Sequence, residues 1–281
     1  MPEGPEVKKM STKVNNMVSN LKLIDVKINS GRYSKKLPTN YDKFISNLPL
    51  TVKHVKCHGK FMWWEFKDKN NEDSDITLFN TLGMTGYWTK ENDIKHNNVS
   101  FIFEDNFTAH FNDYRNFGNI IFCDKENLSK KLKTLGPDLL AIDKNLKNKD
   151  HQMLGVELFK KRLERKRNDT MIASALLDQK VASGCGNYIR ADILYLAKID
   201  PFKEIGKLSN SEIELLWNLM RQIAFNNWNK NLGLKYGIID KKFKFAEDYN
   251  RNFFVYMQEK DINGKTVIRE KLNGRTIHYV K

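Results

Sequence analysis

The sequence runs to 281 residues, 40% hydrophobic and 29% charged, which excludes a disordered chain and supplies apolar content for about two domains. Lys and Arg number 48 against 34 Asp and Glu, a net charge of +14 that points to a polyanionic partner, nucleic acid before any other. Three cysteines (Cys57, Cys123, Cys185) without metal-binding spacing and six scattered histidines exclude a disulfide framework and a zinc cluster. There is no signal peptide and no apolar run of the ~18 residues a membrane span needs, so an intracellular, non-secreted protein is expected, with nucleus or cytoplasm left open.

The first residues are Met1-Pro2-Glu3-Gly4-Pro5-Glu6-Val7. Removal of Met1 leaves Pro2 with a free secondary amine, a nucleophile followed at once by the carboxyl groups of Glu3 and Glu6. Val7, Met10, Val14, Met17, Val18 and Leu21 then recur at helical spacing, with Pro5 in the first turn, where proline is tolerated. From 23 to 123 the chain reads as short strands, at 51–57, 60–66, 76–79, 99–103 and 119–122, separated by Gly, Asn and Asp. No helices alternate with them, so an antiparallel β-sandwich is expected and a parallel α/β sheet is not. After Gly136-Pro137-Asp138 the polar run 144–149 reads as a linker. From 151 to 231 the pattern is helical, with Ile213, Leu216, Trp217, Met220, Ile223 and Ala224 on one face. Residues 253–256 and 266–268 read as strands flanking the hairpin pair Asn263-Gly264, and a strand at 275–279 follows Asn273-Gly274.

The opening resembles the formamidopyrimidine-DNA glycosylase and endonuclease VIII family, whose members begin this way and repair oxidised bases. Further motifs match it in order. His58-Gly59-Lys60-Phe61 stands at the mouth of a predicted hairpin. Read alone, Lys60 is a solvated turn lysine; the resemblance makes it a lysine that reaches a phosphate or sugar oxygen. Leu82-Gly83-Met84-Thr85-Gly86 and Asp113-Tyr114-Arg115-Asn116-Phe117-Gly118 follow. By resemblance, Met84, Arg115 and Phe117 enter the duplex where the damaged base has left it, offsetting a stacking loss of a few kcal/mol. Without the resemblance, Met84 and Phe117 serve equally well as core residues. Gly184-Cys185-Gly186-Asn187, with Gln179 upstream, resembles the family's helix-two-turn-helix, where helix N–H groups and the Asn187 amide meet a phosphate. Arg275 falls where the family carries an arginine on a two-strand finger. Most relatives build that finger on four zinc-bound cysteines; none stands here, which resembles a zinc-less branch that includes an animal endonuclease VIII-like enzyme and giant-virus relatives.

The resemblance implies a multidomain α+β fold. Residues 2–135 form an N-terminal helix and catalytic β-sandwich, 136–150 a linker, 151–250 a helical domain with the helix-two-turn-helix, and 251–281 a zinc-less finger. It implies a bifunctional DNA glycosylase and AP lyase of base excision repair, monomeric, with damaged DNA as partner and neither cofactor nor metal. Its catalytic residues are Pro2, Glu3, Glu6, Lys60 and Arg275; its DNA-binding residues are Met84, Arg115, Phe117, Asn187 and Arg275. Pro2 attacks C1′, Glu3 protonates the ring oxygen with a pKa raised by partial burial, and Glu6 orients the cluster. Oxidised pyrimidines and hydantoins are the favoured lesions. An 8-oxoguanine or formamidopyrimidine preference stays open, because base readout lies in loops around 232–252. Read without the resemblance, Glu3 and Glu6 are helix-start acids that complement the dipole. A non-catalytic damage sensor on the same fold and a general RNA-binding protein are the competing readings.

Overall fold

A computed structural model describes residues 2–91, 95–142, 148–228 and 253–281, without the side chains of 148–154. The chain divides into two compact units, Met1–Thr134 and Leu135–Lys281. Met1 and the 232–252 segment expected to read the base lie outside the described residues.

The first unit opens with helix α1 (Gly4–Val18). Strand β1 (Lys22–Ile28) and the short helix α2 (Tyr41–Ile45) follow. Seven more strands come next: β2 (Leu50–His58), β3 (Phe61–Lys67), β4 (Asp73–Thr81), β5 (Tyr87–Thr89), β6 (Asn97–Phe103), β7 (Thr108–Asn112) and β8 (Asn119–Asp124); helix α3 (Lys125–Thr134) closes the unit. The strands run in the order β5-β7-β6-β1-β2-β3-β4-β8, all antiparallel. At the centre, β1 meets β2 only through Lys22↔Thr51 and Leu23↔Leu50. That seam lets the sheet fold over on itself. The ring of Trp64 on β3 lies 5.0 Å from Trp88 on β5 and 5.3 Å from Phe101 on β6, so the two halves face each other as a sandwich. The expected apolar face of α1 is the one that packs, with Val7, Val14 and Val18 buried.

In the second unit, α4 (Asn148–Leu163), α5 (Ile172–Ala175), α6 (Asn187–Ala197) and α7 (Asn210–Trp228) precede a hairpin of β9 (Ile268–Leu272) and β10 (Arg275–Tyr279). Phe159, Leu176, Ile193, Leu216, Trp217 and Met220 form its core. The stretch expected as a linker, 136–150, is not uniform. Leu139 and Leu140 belong to that core, and α4 begins at Asn148. Arg221 holds this entry: its Nη1 donates to the Leu139 carbonyl at 3.0 Å and its Nη2 to the Ala141 carbonyl at 3.2 Å. Burial lowers the pKa of Arg221 to about 10, which still leaves it charged at neutral pH.

The hairpin differs from expectation in one respect. Residues 253–256 are bends and turns, not a strand, and the ladder joins 268–272 to 275–279 across Asn273-Gly274. The rings of Phe253 and Phe254 pack on Tyr188 and Tyr195 of α6, and a side-chain carboxylate takes the N–H groups that a ladder would have used. No helix among the described residues is long and apolar enough to cross a membrane.

Candidate functional site

Pro2 is half-buried and leads directly into Glu3, which is 1% exposed and forms the N-cap of α1. Glu6 Oε2 accepts the Glu3 N–H at 2.8 Å, and the Glu3 carboxyl faces the Glu6 N–H in return, a reciprocal capping box. Pro5 falls in the first turn, where no intrahelical N–H bond is lost. Side-chain bonds tie α1 to β2: Ser11 Oγ donates to the Val55 carbonyl at 3.3 Å, and the Val55 N–H donates to Asn15 Oδ1 at 2.8 Å. Each valine buried beneath contributes about 1.5–3 kcal/mol. The Pro2-Glu3 pair is therefore anchored to β2, the strand whose far end carries Lys60. There a two-residue turn links His58 to Phe61, with Gly59 at φ 56 in the positive-φ position such a turn needs and Lys60 half-buried beside it.

Met84, Arg115 and Phe117 lie on two loops held as one body. The Asp113 carboxylate, 2% exposed, accepts the Thr85 hydroxyl at 2.5 Å through Oδ1 and the Gly118 N–H at 2.6 Å through Oδ2. The Thr85 hydroxyl oxygen accepts the Arg115 N–H at 3.0 Å. Gly83, at φ 59, packs so closely that a Cβ there would stand 2.6 Å from the Gly118 nitrogen. On the other side, Asn98 donates to Asn116 Oδ1 at 2.7 Å, and the Arg32 N–H reaches the same oxygen at 3.2 Å. Phe117 is 53% exposed, the Arg115 guanidinium lies 5.1 Å from its ring centre, and Met84 is half-buried. The core alternative therefore fails for Phe117, since a large ring held in solvent on a rigid loop contributes nothing to packing. Asp113, Thr85, Asn98, Asn116 and Arg32 were not singled out from sequence as its supports. Of these, Asp113 heads the motif, and a carboxylate beside a Gly-bounded loop was the available signal.

Asp113→Ala is expected to leave both units folded and to weaken binding to duplex DNA containing an abasic analogue by about tenfold or more. It removes two bonds to a charged acceptor, each worth ~1.5–3 kcal/mol of loop order. Titration of a labelled duplex, with circular dichroism as the folding control, checks it; unchanged affinity would detach these loops from the binding surface.

Asn187 and Arg275 lie in the second unit. The turn before α6 is drawn in by Gln179, whose Nε2 donates to the Cys185 carbonyl at 2.9 Å and whose Oε1 accepts the Gly184 N–H at 2.9 Å. Gly184 takes φ 106, open only to glycine, and Gly186 is the N-cap of α6, with no side chain capping the helix. Asn187 Nδ2 donates to the Thr276 carbonyl at 3.0 Å. Buried Arg190 donates to the same carbonyl at 3.0 Å and to Asn187 Oδ1 at 2.7 Å. The residue after Arg275 is thus clamped to the helix start, while Arg275 itself is exposed. Further along α6, Asp192 accepts the N–H groups of Phe254, Val255 and Tyr256 at 3.0–3.1 Å, and Tyr195 donates to Asp261 at 3.0 Å. Asp261 also accepts the N–H groups of Asn263 and Lys265 at 2.9 and 2.8 Å. Desolvation alone would raise the Asp261 pKa, but these hydrogen bonds outweigh it and hold the carboxyl below the usual range. The segment leading into the hairpin, 254–265, is thus ordered by two carboxylates and contains no cysteine.

One unit carries Pro2 and Glu3 at the start of a helix packed on a sandwich, and the other carries a glycine turn and a clamped hairpin around a helix start; the pair of features is that of the helix-two-turn-helix class of DNA-repair proteins. The family model of the formamidopyrimidine-DNA glycosylase N-terminal domain matches residues 1–120, and that of the formamidopyrimidine-DNA glycosylase H2TH domain matches residues 146–227. The formamidopyrimidine-DNA glycosylase of Ligilactobacillus salivarius is 31% identical over 233 residues, 80% of this chain and 76% of that relative. That of Listeria monocytogenes is 26% identical over 289 residues, 99% of this chain and 98% of the relative. The chain belongs to the formamidopyrimidine-DNA glycosylase family. In fold it is similar to a solved Lactococcus lactis formamidopyrimidine-DNA glycosylase in complex with DNA containing an oxidised pyrimidine, with a TM-score of 0.77, 22% identity, and coverage of 99% of this chain and 98% of that one.

Proposed function

We propose that this chain is a bifunctional DNA glycosylase and AP lyase of base excision repair that removes oxidised bases through a Schiff base on Pro2. The observation that carries the reading is the Pro2-Glu3 pair, its carboxyl buried at the start of a packed helix, in a chain of this family. With Met1 removed, the Pro2 nitrogen attacks C1′ of a flipped nucleotide. The bond to the base breaks as Glu3 gives a proton to the ring oxygen, and the sugar opens to an iminium. The iminium acidifies C2′; loss of that proton expels the 3′ phosphate, and a second elimination expels the 5′ phosphate. Water then hydrolyses the imine and frees the amine. Glu6 positions Glu3 through the capping box. Lys60 and Arg275 bind the flanking phosphates, and the second Nδ2 hydrogen of Asn187 is the donor a phosphate takes. Met84, Arg115 and Phe117 fill the vacated stack. The hairpin at 268–279 acts as a finger without zinc, clamped at Thr276 by Asn187 and Arg190, and the segment before it is ordered by Asp192 and Asp261.

Borohydride is expected to trap a covalent protein–DNA adduct through Pro2. A variant with one residue inserted between Met1 and Pro2 is expected to lose trapping by more than about 10³-fold, as nucleophile removal does in other covalent enzymes. Equal trapping by that variant would sink the assignment. Oxidised pyrimidines and hydantoins are the proposed lesions. The names of the relatives favour a second ranking, with formamidopyrimidines first. A panel of duplexes, each with one oxidised base, ranks the two.

A further inference from the structure

Tyr114 stands between buried Asp113 and Arg115, yet it is 66% exposed. A large ring in solvent on a loose loop would mean little. This loop is fixed on both sides by the Asp113, Thr85 and Asn116 bonds, so the ring is presented in one place. It also has a backing. The His96 ring meets it edge to face with centroids 5.0 Å apart at 78°, and the Asp113 N–H donates to the His96 carbonyl at 3.2 Å. Arg115 is drawn toward Phe117 instead, with its guanidinium 5.1 Å from that ring. The motif therefore carries two separate aromatic units: Arg115 with Phe117, and Tyr114 with His96.

We propose that Tyr114, backed by His96, is a stacking platform for an unpaired nucleobase beside the lesion, and that it extends the site to damage in single-stranded or bubble DNA. The inference rests on the reading of these loops as DNA-binding. Its physical basis is a difference in what the base gains. Every base offers a π-face, and stacking on an exposed aromatic is tolerant of sequence. A base inside an intact duplex is already stacked on both faces and gains little from Tyr114. An unpaired base gains a full contact. The phenyl ring, not the hydroxyl, is the acting part, so phenylalanine substitutes for it. The backing by His96 keeps the ring from folding down onto the loop.

The test measures binding of the full-length protein to one oligonucleotide carrying a tetrahydrofuran abasic analogue, presented as a single strand, in a bubble and in a matched duplex. Tyr114→Ala is expected to lower the ratio of single-strand to duplex affinity about tenfold, which is ~1.4 kcal/mol. Tyr114→Phe is expected to restore the wild-type ratio. An unchanged ratio in Tyr114→Ala overturns the proposal, as does an equal loss on all three substrates, which would mark a general loop effect. Failure of Tyr114→Phe to restore the ratio also overturns it, by moving the role to the hydroxyl. Borohydride trapping of wild-type protein on a lesion-containing duplex, run alongside, separates these outcomes from failure of the glycosylase reading itself.

Discussion

Glu3→Gln is expected to reduce excision of an oxidised base by about 10²–10⁴-fold, the usual contribution of a positioned general acid. Cleavage at a preformed abasic site is expected to suffer far less. The asymmetry follows from where the proton is needed. With the base still attached, the sugar ring must open as the base departs, and in the proposed mechanism Glu3 supplies the proton to the ring oxygen. An abasic sugar already equilibrates with its open aldehyde, so Pro2 can form the imine without that proton. The substitution is also gentle on the fold. Glu3 is 1% exposed and caps α1, and the glutamine carbonyl accepts the same first-turn N–H. Single-turnover rates on two duplexes of one sequence, one with an oxidised base and one with an abasic site, read the ratio directly. Equal loss on both would remove Glu3 from ring opening and leave it a helix cap. No loss on either would leave Glu3 without a catalytic role, and a wild type that processes neither duplex would favour a damage sensor, for which the acid has no use.

Much of the structure around Pro2 and Glu3 was legible in the sequence because it depends on local order. Pro2, the carboxyls and the helix that anchors them occupy neighbouring positions, and the valines at 7, 14 and 18 declare the buried face. Gly59 and the Asn273-Gly274 pair declare their turns because positive φ admits few residue types. What was not legible depends on partners far apart in the chain. Strands β1, β5 and β7 were not named individually, and their pairing is set by the folding of the sheet at the β1–β2 seam. Residues 253–256 read as a strand because Phe-Phe-Val-Tyr is β-prone in composition, whereas Asp192, some 62 residues upstream, takes the N–H groups that would have formed a ladder. A clue was present. Asp192 sits in a helix between Ile189 and Ile193, both buried, and a carboxylate on an apolar face must find donors or cost several kcal/mol. Which donors it finds requires the fold. The 113–118 loop divides in the same way: Arg115 and Phe117 stand in a motif read from the sequence, while the Asn98–Asn116–Arg32 brace that fixes their loop joins three distant segments.

Asp192→Ala is expected to destabilise the second unit by about 3–5 kcal/mol, the cost of breaking a buried charged hydrogen-bonding centre. The carboxylate is fully buried and takes three consecutive N–H groups, so its removal leaves all of them without that acceptor in a segment where Val255 is also fully buried. Against a total stability of about 5–15 kcal/mol, such a loss need not unfold the whole unit. It is expected to appear first as local release of the segment before the hairpin. The α6 clamp on Thr276 is separate and survives, so β10 stays docked while 253–267 opens. Limited proteolysis should then cut within 253–267 at protease levels that leave the wild type intact, and the denaturation midpoint should fall. Asp192→Asn keeps one acceptor oxygen and should lie between the two. Because carboxylates order this segment, a chelator is expected to leave the wild-type midpoint and DNA affinity where they were. A chelator-sensitive midpoint would show that a metal, and not Asp192 with Asp261, holds this segment. An unchanged midpoint and cleavage pattern in Asp192→Ala would show that aromatic packing on Tyr188 and Tyr195 suffices alone.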